Sequence, residues 1–172
     1  MAKESESLVR AREVFKDCKY AKECFQQALD QKRFKDAKLF WFASVAMLRA
    51  IGHVLKKVDA KTRGDAFNHA LDTRYELWKR EPIFADFIER ERNIILKVYE
   101  SSLAEQEIIE ESFLITESGD QLVTESGDEF VVMTAVTTLV KGSGAFSGES
   151  PAYVLSKALA WWDKELSELE RI

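Results

Sequence analysis

The chain has 172 residues, 46% of them hydrophobic and 32% charged, with a formal net charge of −5. These values are ordinary for a globular protein, and a chain of this size buries roughly 70% of its unfolded surface in one core. Two cysteines and two histidines supply neither a disulfide framework nor a zinc-type ligand set, so no metal and no cofactor is expected.

Charge is unevenly placed. Residues 1–80 carry 18 Lys and Arg against 11 Asp and Glu, and residues 81–172 carry 7 against 19. A basic half suits a nucleic-acid surface, or it complements the acidic half within the fold or across a dimer. The opening "MAKESESLVRAREVF" is too charged for a secretory leader, and a single cytoplasmic domain over residues 1–172 is expected.

Residues 5–30 read as an amphipathic helix, with Leu8, Ala11, Phe15, Cys18, Phe25 and Leu29 at steps of three and four. Cys18 and Cys24 are six apart and point in different directions on such a helix, as thiols in a reducing compartment. The second helix, about 36–58, contains the run "LFWFASVAMLRAIGHVL". Its 17 residues include Arg49 and His53 and fall short of the roughly 20 a membrane span requires, so a buried central helix and no membrane contact are expected. A shorter helix over 65–80 follows, then one from Pro82 to about 110 with Phe84, Phe87, Ile88, Ile94, Ile95 and Val98 in a stripe.

The period then changes. "LITESGDQ" (114–121) is followed directly by "LVTESGDE" (122–129), and "FVVMT" begins a third, drifting unit. Apolar and β-branched residues before Ser-Gly-Asp predict a three-stranded meander over about 113–140, with two-residue hairpin loops and Gly119 and Gly127 at positive φ. That register sets Ile115 against Leu122 and Leu122 against Val131, with Leu114, Val123 and Phe130 on the other face. One apolar face then needs cover, which favours a homodimer. The acidic groups at successive turns fall at opposite ends of a meander, too dispersed for calcium. "KGSGAFSGES" (141–150) lacks the ending of a phosphate loop and reads as a flexible connection. Ser150 and Pro151 then start the last helix, with Leu155, Leu159, Trp162, Leu166 and Leu169 inward.

Within the stripe of the fourth helix lies Glu91, and within the central helix Arg49 and His53 are one turn apart. A carboxylate in an apolar interior must protonate or find a cation. Arg49, which can hold a carboxylate through two parallel hydrogen bonds, or His53 is the expected partner of Glu91.

The segments "FWFASVAMLRAIGHVLKKVD" (40–59), "FIERERNIILKVYE" (87–100) and the final "ALAWWDKELSELE" (158–170) together resemble the HEPN superfamily, small helical bundles of bacterial toxin–antitoxin, defence and mobile-element systems. The resemblance implies an up-and-down bundle of four to five helices, mainly α, with the small antiparallel sheet as an insertion. Active members cut RNA with an Arg, often followed by Asn, and a His shortly after, at paired sites in a dimer. Arg92 and Asn93 fit the first half of that pattern, with Arg90 beside them. The positions where the His would fall hold Lys97, Val98 and Tyr99 counted from Arg92, or Ile95, Leu96 and Lys97 counted from Arg90. Metal-free RNA cleavage needs a group that exchanges a proton near neutrality, as imidazole does at about pKa 6.5. The expectation is a non-catalytic module that binds a protein partner or RNA through Arg90, Arg92 and Asn93. The alternatives are a ribonuclease in which the fold brings His53 to Arg92, and a structural oligomer assembled through the meander.

Overall fold

The computed structural model describes residues 8–172. In chain order it contains α1 (Val9–Asp30), α2 (Phe34–Arg63), α3 (Asp65–Trp78), α4 (Ile83–Glu89 as a π-helix continuing as the α-helix Arg90–Val98), β1 (Leu103–Phe113), β2 (Val131–Lys141) and α5 (Pro151–Leu169). The fold is mainly helical, five helices with one antiparallel hairpin inserted before the last. Residues 5–7, expected to begin the first helix, lie outside the described residues.

α2 is the central element. Ala37, Trp41, Ser44, Val45, Leu48 and Ile51 are buried on it at steps of three and four, against α1, α4 and α5. By length and composition alone α2 is apolar enough to cross a membrane, but the buried residues of its apolar face are the middle of the bundle core. Gly52 lets α5 come close, since a Cβ there would sit 3.1 Å from the Trp162 ring. Around that ring Trp78, Phe84 and Trp161 form a cluster with centroids 4.8–6.1 Å apart, mostly edge-on or tilted, the geometry aromatic quadrupoles favour.

Polar side chains tie the helices at their ends. The first turn of α1 lacks a capping side chain of its own, because Leu8 occupies the cap position. The buried carboxylate of Asp59, at the end of a π-helical turn in α2 (Leu55–Asp59), accepts the N–H groups of Arg10 (3.2 Å) and Ala11 (2.9 Å) instead. Donors that every helix leaves open at its start are thereby satisfied across the fold. Arg12 grips Glu170 of the C-terminal end through two parallel hydrogen bonds, 2.9 and 2.7 Å, and its pairing lowers the Glu170 pKa. At the other end of the chain's last helix, Pro151 takes the first helical position and Ser150 the cap position, without a side-chain bond from Ser150.

Several expectations change. The fourth helix stops at Tyr99, which is left-handed (φ 55°), rather than running to 110. Residues 103–113 are a strand, because their partner is the β-branched stretch 131–141; cross-strand pairing outweighs the helical reading of "LAEQEIIEE". The sheet is therefore longer than expected, 103–141, and is one long hairpin rather than a meander. The glycine-rich segment 142–150 is folded onto its root: Gly142 donates to the Ser102 carbonyl (2.7 Å), Gly148 to that of Lys141 (2.7 Å), and the Phe146 ring meets Phe87.

Removing the α1 cap with Asp59→Ala is expected to cost about 1 kcal/mol, a fall of roughly 2–4 °C in melting temperature by calorimetry. Burial pushes the Cys18 thiol up to about 12 from an ordinary 9.0. The unfolded chain therefore surrenders that proton first, and stability present below pH 9 declines between pH 9 and 12. A disulfide reagent is expected to titrate one thiol in the native protein, the half-buried Cys24, and two after denaturation.

Candidate functional site

The hairpin leaves the bundle from a buried charge cluster. Glu91 of α4 is 3% exposed. Its Oε1 accepts three hydrogen bonds, from Trp41 Nε1 (3.0 Å), the Ser102 backbone N–H (3.0 Å) and Ser102 Oγ (2.8 Å), and Lys141 Nζ donates to its Oε2 at 3.3 Å. Lys141, 2% exposed, also donates to the Ser143 carbonyl at 2.7 Å. Ser102 precedes β1 and Lys141 ends β2, so one carboxylate holds both strands to α4 and, through Trp41, to α2. A buried ion of this kind is tolerated because its lone pairs are filled.

Beyond the root the hairpin is an arm in solvent. Leu139 and Lys141 are buried and Leu103 is half-buried, but nearly everything farther out is exposed on both faces. Eleven residue pairs run from Leu103–Lys141 to Phe113–Val131, about 35 Å at ~3.3 Å per residue. Alternation puts Glu105, Glu107, Ile109, Glu111 and Phe113 on one face with Val131, Met133 and Leu139 opposite them. Ile109 is 68% and Met133 63% exposed. From Leu103 to Val140 there are nine carboxylates and no lysine or arginine.

The octapeptide repeat builds the head of the arm. Three short ladders meet there: Phe113 with Val131, Ile115 with Gln121, and Val123 with Glu129. Between them the N–H of Leu114 donates to Phe130 (3.1 Å), that of Leu122 to Leu114 (2.8 Å), and that of Phe130 to Leu122 (3.2 Å). Positions eight apart thus close a ring of three hydrogen bonds, and the arm ends in a three-way β-junction. This corrects the register expected for a meander. The loops have three residues, Glu117–Gly119 and Glu125–Gly127, each a turn closed by glycine at φ 90°, so each repeat folds back on itself. In the first, Ser118 Oγ donates to Asp120 (2.9 Å) and the Asp120 N–H to Thr116 Oγ1 (3.1 Å); Ser126, Asp128 and Thr124 repeat the pattern. Leu114, Leu122 and Phe130 are 40–46% exposed.

The residues singled out in the sequence are partly gathered. Arg49 does bind a glutamate of α4, but it is Glu89 (3.3 Å), with Tyr75 Oη bridging the two. The expected Glu91–Arg49 or Glu91–His53 pair is replaced by Glu91–Lys141. Glu89 and Glu91 point about 200° apart around the helix, so Glu91 meets Trp41 and Lys141 while Glu89 meets Arg49 and Tyr75, and Val98 is exposed. His53 is exposed and is not part of a buried network. Arg92 Nη1 donates to Asn93 Oδ1 (2.9 Å), and both are half-buried, whereas Arg90 is exposed. The contacts Arg49–Glu89 and Phe42–Tyr99 make α2 and α4 antiparallel. His53, one turn beyond Arg49, is thus displaced from Arg92 by roughly 10 Å along the helices. Periodicity does not single out Lys141, although it is the sole cation between Lys97 and Lys157.

Glu91→Gln leaves Lys141 buried without a counter-charge and is expected to cost about 3 kcal/mol in denaturant unfolding; a loss well under 1 kcal/mol would show that the cluster does not hold the root. No family model matches the chain, and neither a comparison with curated proteins nor one with solved structures finds a match.

Proposed function

We propose that this protein is a non-catalytic, HEPN-like helical module that works by presenting its arm to a protein partner. The observation that carries this reading is the arm itself. A lone two-stranded ribbon is marginal in water, yet this one projects with both faces open and gathers Phe113, Leu114, Ile115, Leu122, Val123, Phe130 and Val131 at its far end, all at least 40% exposed. Apolar surface concentrated away from a complete core marks a docking site. Nine carboxylates without a compensating cation repel phosphate, which favours a protein over RNA or an anionic membrane.

The Arg92–Asn93 pair supports a module without nuclease chemistry. Its guanidinium is engaged by its neighbour, and the exposed His53 and His69 belong to other helices. We place the protein in the cytoplasm, with α2 as the core helix of a soluble domain.

Labelled RNA incubated with the purified protein is expected to remain intact, and cleavage that disappears in Arg92→Ala would overturn the non-catalytic reading. The arm is tested by replacing Leu114, Leu122 and Phe130 together with serine. The bundle is expected to keep its melting temperature within about 2 °C, since none of the three belongs to its core. A protein retained stoichiometrically by the wild type is expected to be lost from the variant; equal retention by both would remove the arm from the function.

A further inference from the structure

The face from which the arm emerges carries its chemical complement. Between α2 and α4 runs an open groove of about 600 Å³ whose apolar walls include Phe42, Ala46, Ile95, Leu96, Val98 and Tyr99. Leu96, Val98 and Tyr99 are 59–69% exposed, high for large apolar side chains on one side of a domain. Lys97 of α4 lines it, and Lys38 of α2 lies 5.7 Å from the Phe42 ring of its wall, on the side of the adjoining hollow that holds Glu105 of the arm's root; both lysines are exposed. Among the described residues neither lysine is paired with a carboxylate, and none of the nine carboxylates of the arm is in an ion pair. Each chain thus has an apolar groove edged by unpaired cations and an apolar ribbon edged by unpaired anions.

We propose that the partner seated in this groove is the arm of a second copy of the chain. This goes beyond the preceding reading and rests on it: the shaft of the arm docks on a second copy, and the head is left open to a different protein. The arm face on which Glu107 and Glu111 alternate with Ile109 and Phe113, with Met133 and Val131 across from Glu111 and Phe113, lies along α2 and α4 of the other copy, with the carboxylates reaching Lys38 and Lys97. The segment of α2 from Lys38 to Ala46 spans roughly 12 Å, which a ribbon of about 35 Å covers easily. The arm's root at Ser102 follows Tyr99 of the groove by three residues. Root and groove are therefore neighbours on each chain, and a two-fold axis brings each arm to the other's groove at once. The exchange is reciprocal and closes as a dimer, without open ends that would grow a fibre.

Reciprocity makes the idea testable by charge reversal. Sedimentation of the full chain is expected to show a dimer that dissociates at least about tenfold more readily at high salt. The groove variant Lys38→Glu/Lys97→Glu sets acid against acid, and the arm variant Glu107→Lys/Glu111→Lys sets base against base. Each alone is expected to be a folded monomer by sedimentation and circular dichroism. Mixed in equal amounts, they restore opposite charges at both contacts and are expected to form a one-to-one heterodimer. Carbodiimide coupling of isotopically light and heavy wild-type chains, which needs no variant, is expected to join Lys38 or Lys97 of one to arm carboxylates of the other. A wild type that stays monomeric, or a dimer unmoved by either reversal, would overturn the exchange. Neither result touches the serine-substituted head, whose undiminished capture of a different protein would instead overturn the reading beneath it.

Discussion

Glu91 places a charge where no water reaches, and each hydrogen bond that makes this tolerable comes from an element other than its own helix. Trp41 approaches from α2, Ser102 from the start of β1 and Lys141 from the end of β2. A carboxylate satisfied in this way is directional: Oε2 depends on Lys141, whose loss would leave it unmatched, while Oε1 draws on Trp41 and Ser102 together. The cluster therefore fixes the position at which both strands leave the bundle, something the surrounding apolar packing alone does not specify. Lys141 is further boxed by the Ser143 carbonyl and the Phe87 ring, 5.9 Å from its Nζ, so the glycine-rich loop is recruited to the same point.

From that anchor the chain follows two different physical regimes. The helices bury tryptophan, phenylalanine and leucine around α2 and rely on carboxylates for cross-helix ties, as with Asp59 on α1 and Glu165, which accepts Trp78 Nε1 at 2.7 Å. The arm has no core beneath it and is held by ladder hydrogen bonds alone over most of its length. Its head answers the problem of the open tip by joining three ladders, so that backbone groups of Leu114, Leu122 and Phe130 are paired with one another. What it leaves uncovered is side-chain surface, acidic along the shaft and apolar at the end.

Four of the helices are legible from apolar spacing, because positions such as Phe15, Cys18 and Phe25, or Trp41, Val45 and Leu48, follow the ordinary helical period. The fourth is legible in its start at Pro82 and in the buried Phe84, Phe87, Ile88 and Ile95, but not in its π-turn, where local winding changes without any residue that announces it. The glutamate that meets Arg49 lies two positions before Glu91, because periodicity marks the buried carboxylate but not the cation that reaches it. Residues 103–113 alternate imperfectly and carry five good helix formers among glutamates and leucine, so their state is decided by a strand some 28 residues away. The repeat at 114–129 declares its turns and glycines clearly, yet the closure of its units on one another depends on a three-residue loop in place of a two-residue one. The Glu91–Lys141 contact, 50 positions apart, leaves only an indirect trace, a solitary lysine in a long acidic stretch.

The ring at the tip also sets how such a tip can change. Since each octapeptide is a self-contained finger contributing one leucine-like corner, duplication or loss of genetic material in multiples of twenty-four nucleotides would preserve every finger and alter only how many corners must meet. The head is thus modular by whole fingers, while the shaft and its anchor are indifferent to the number carried.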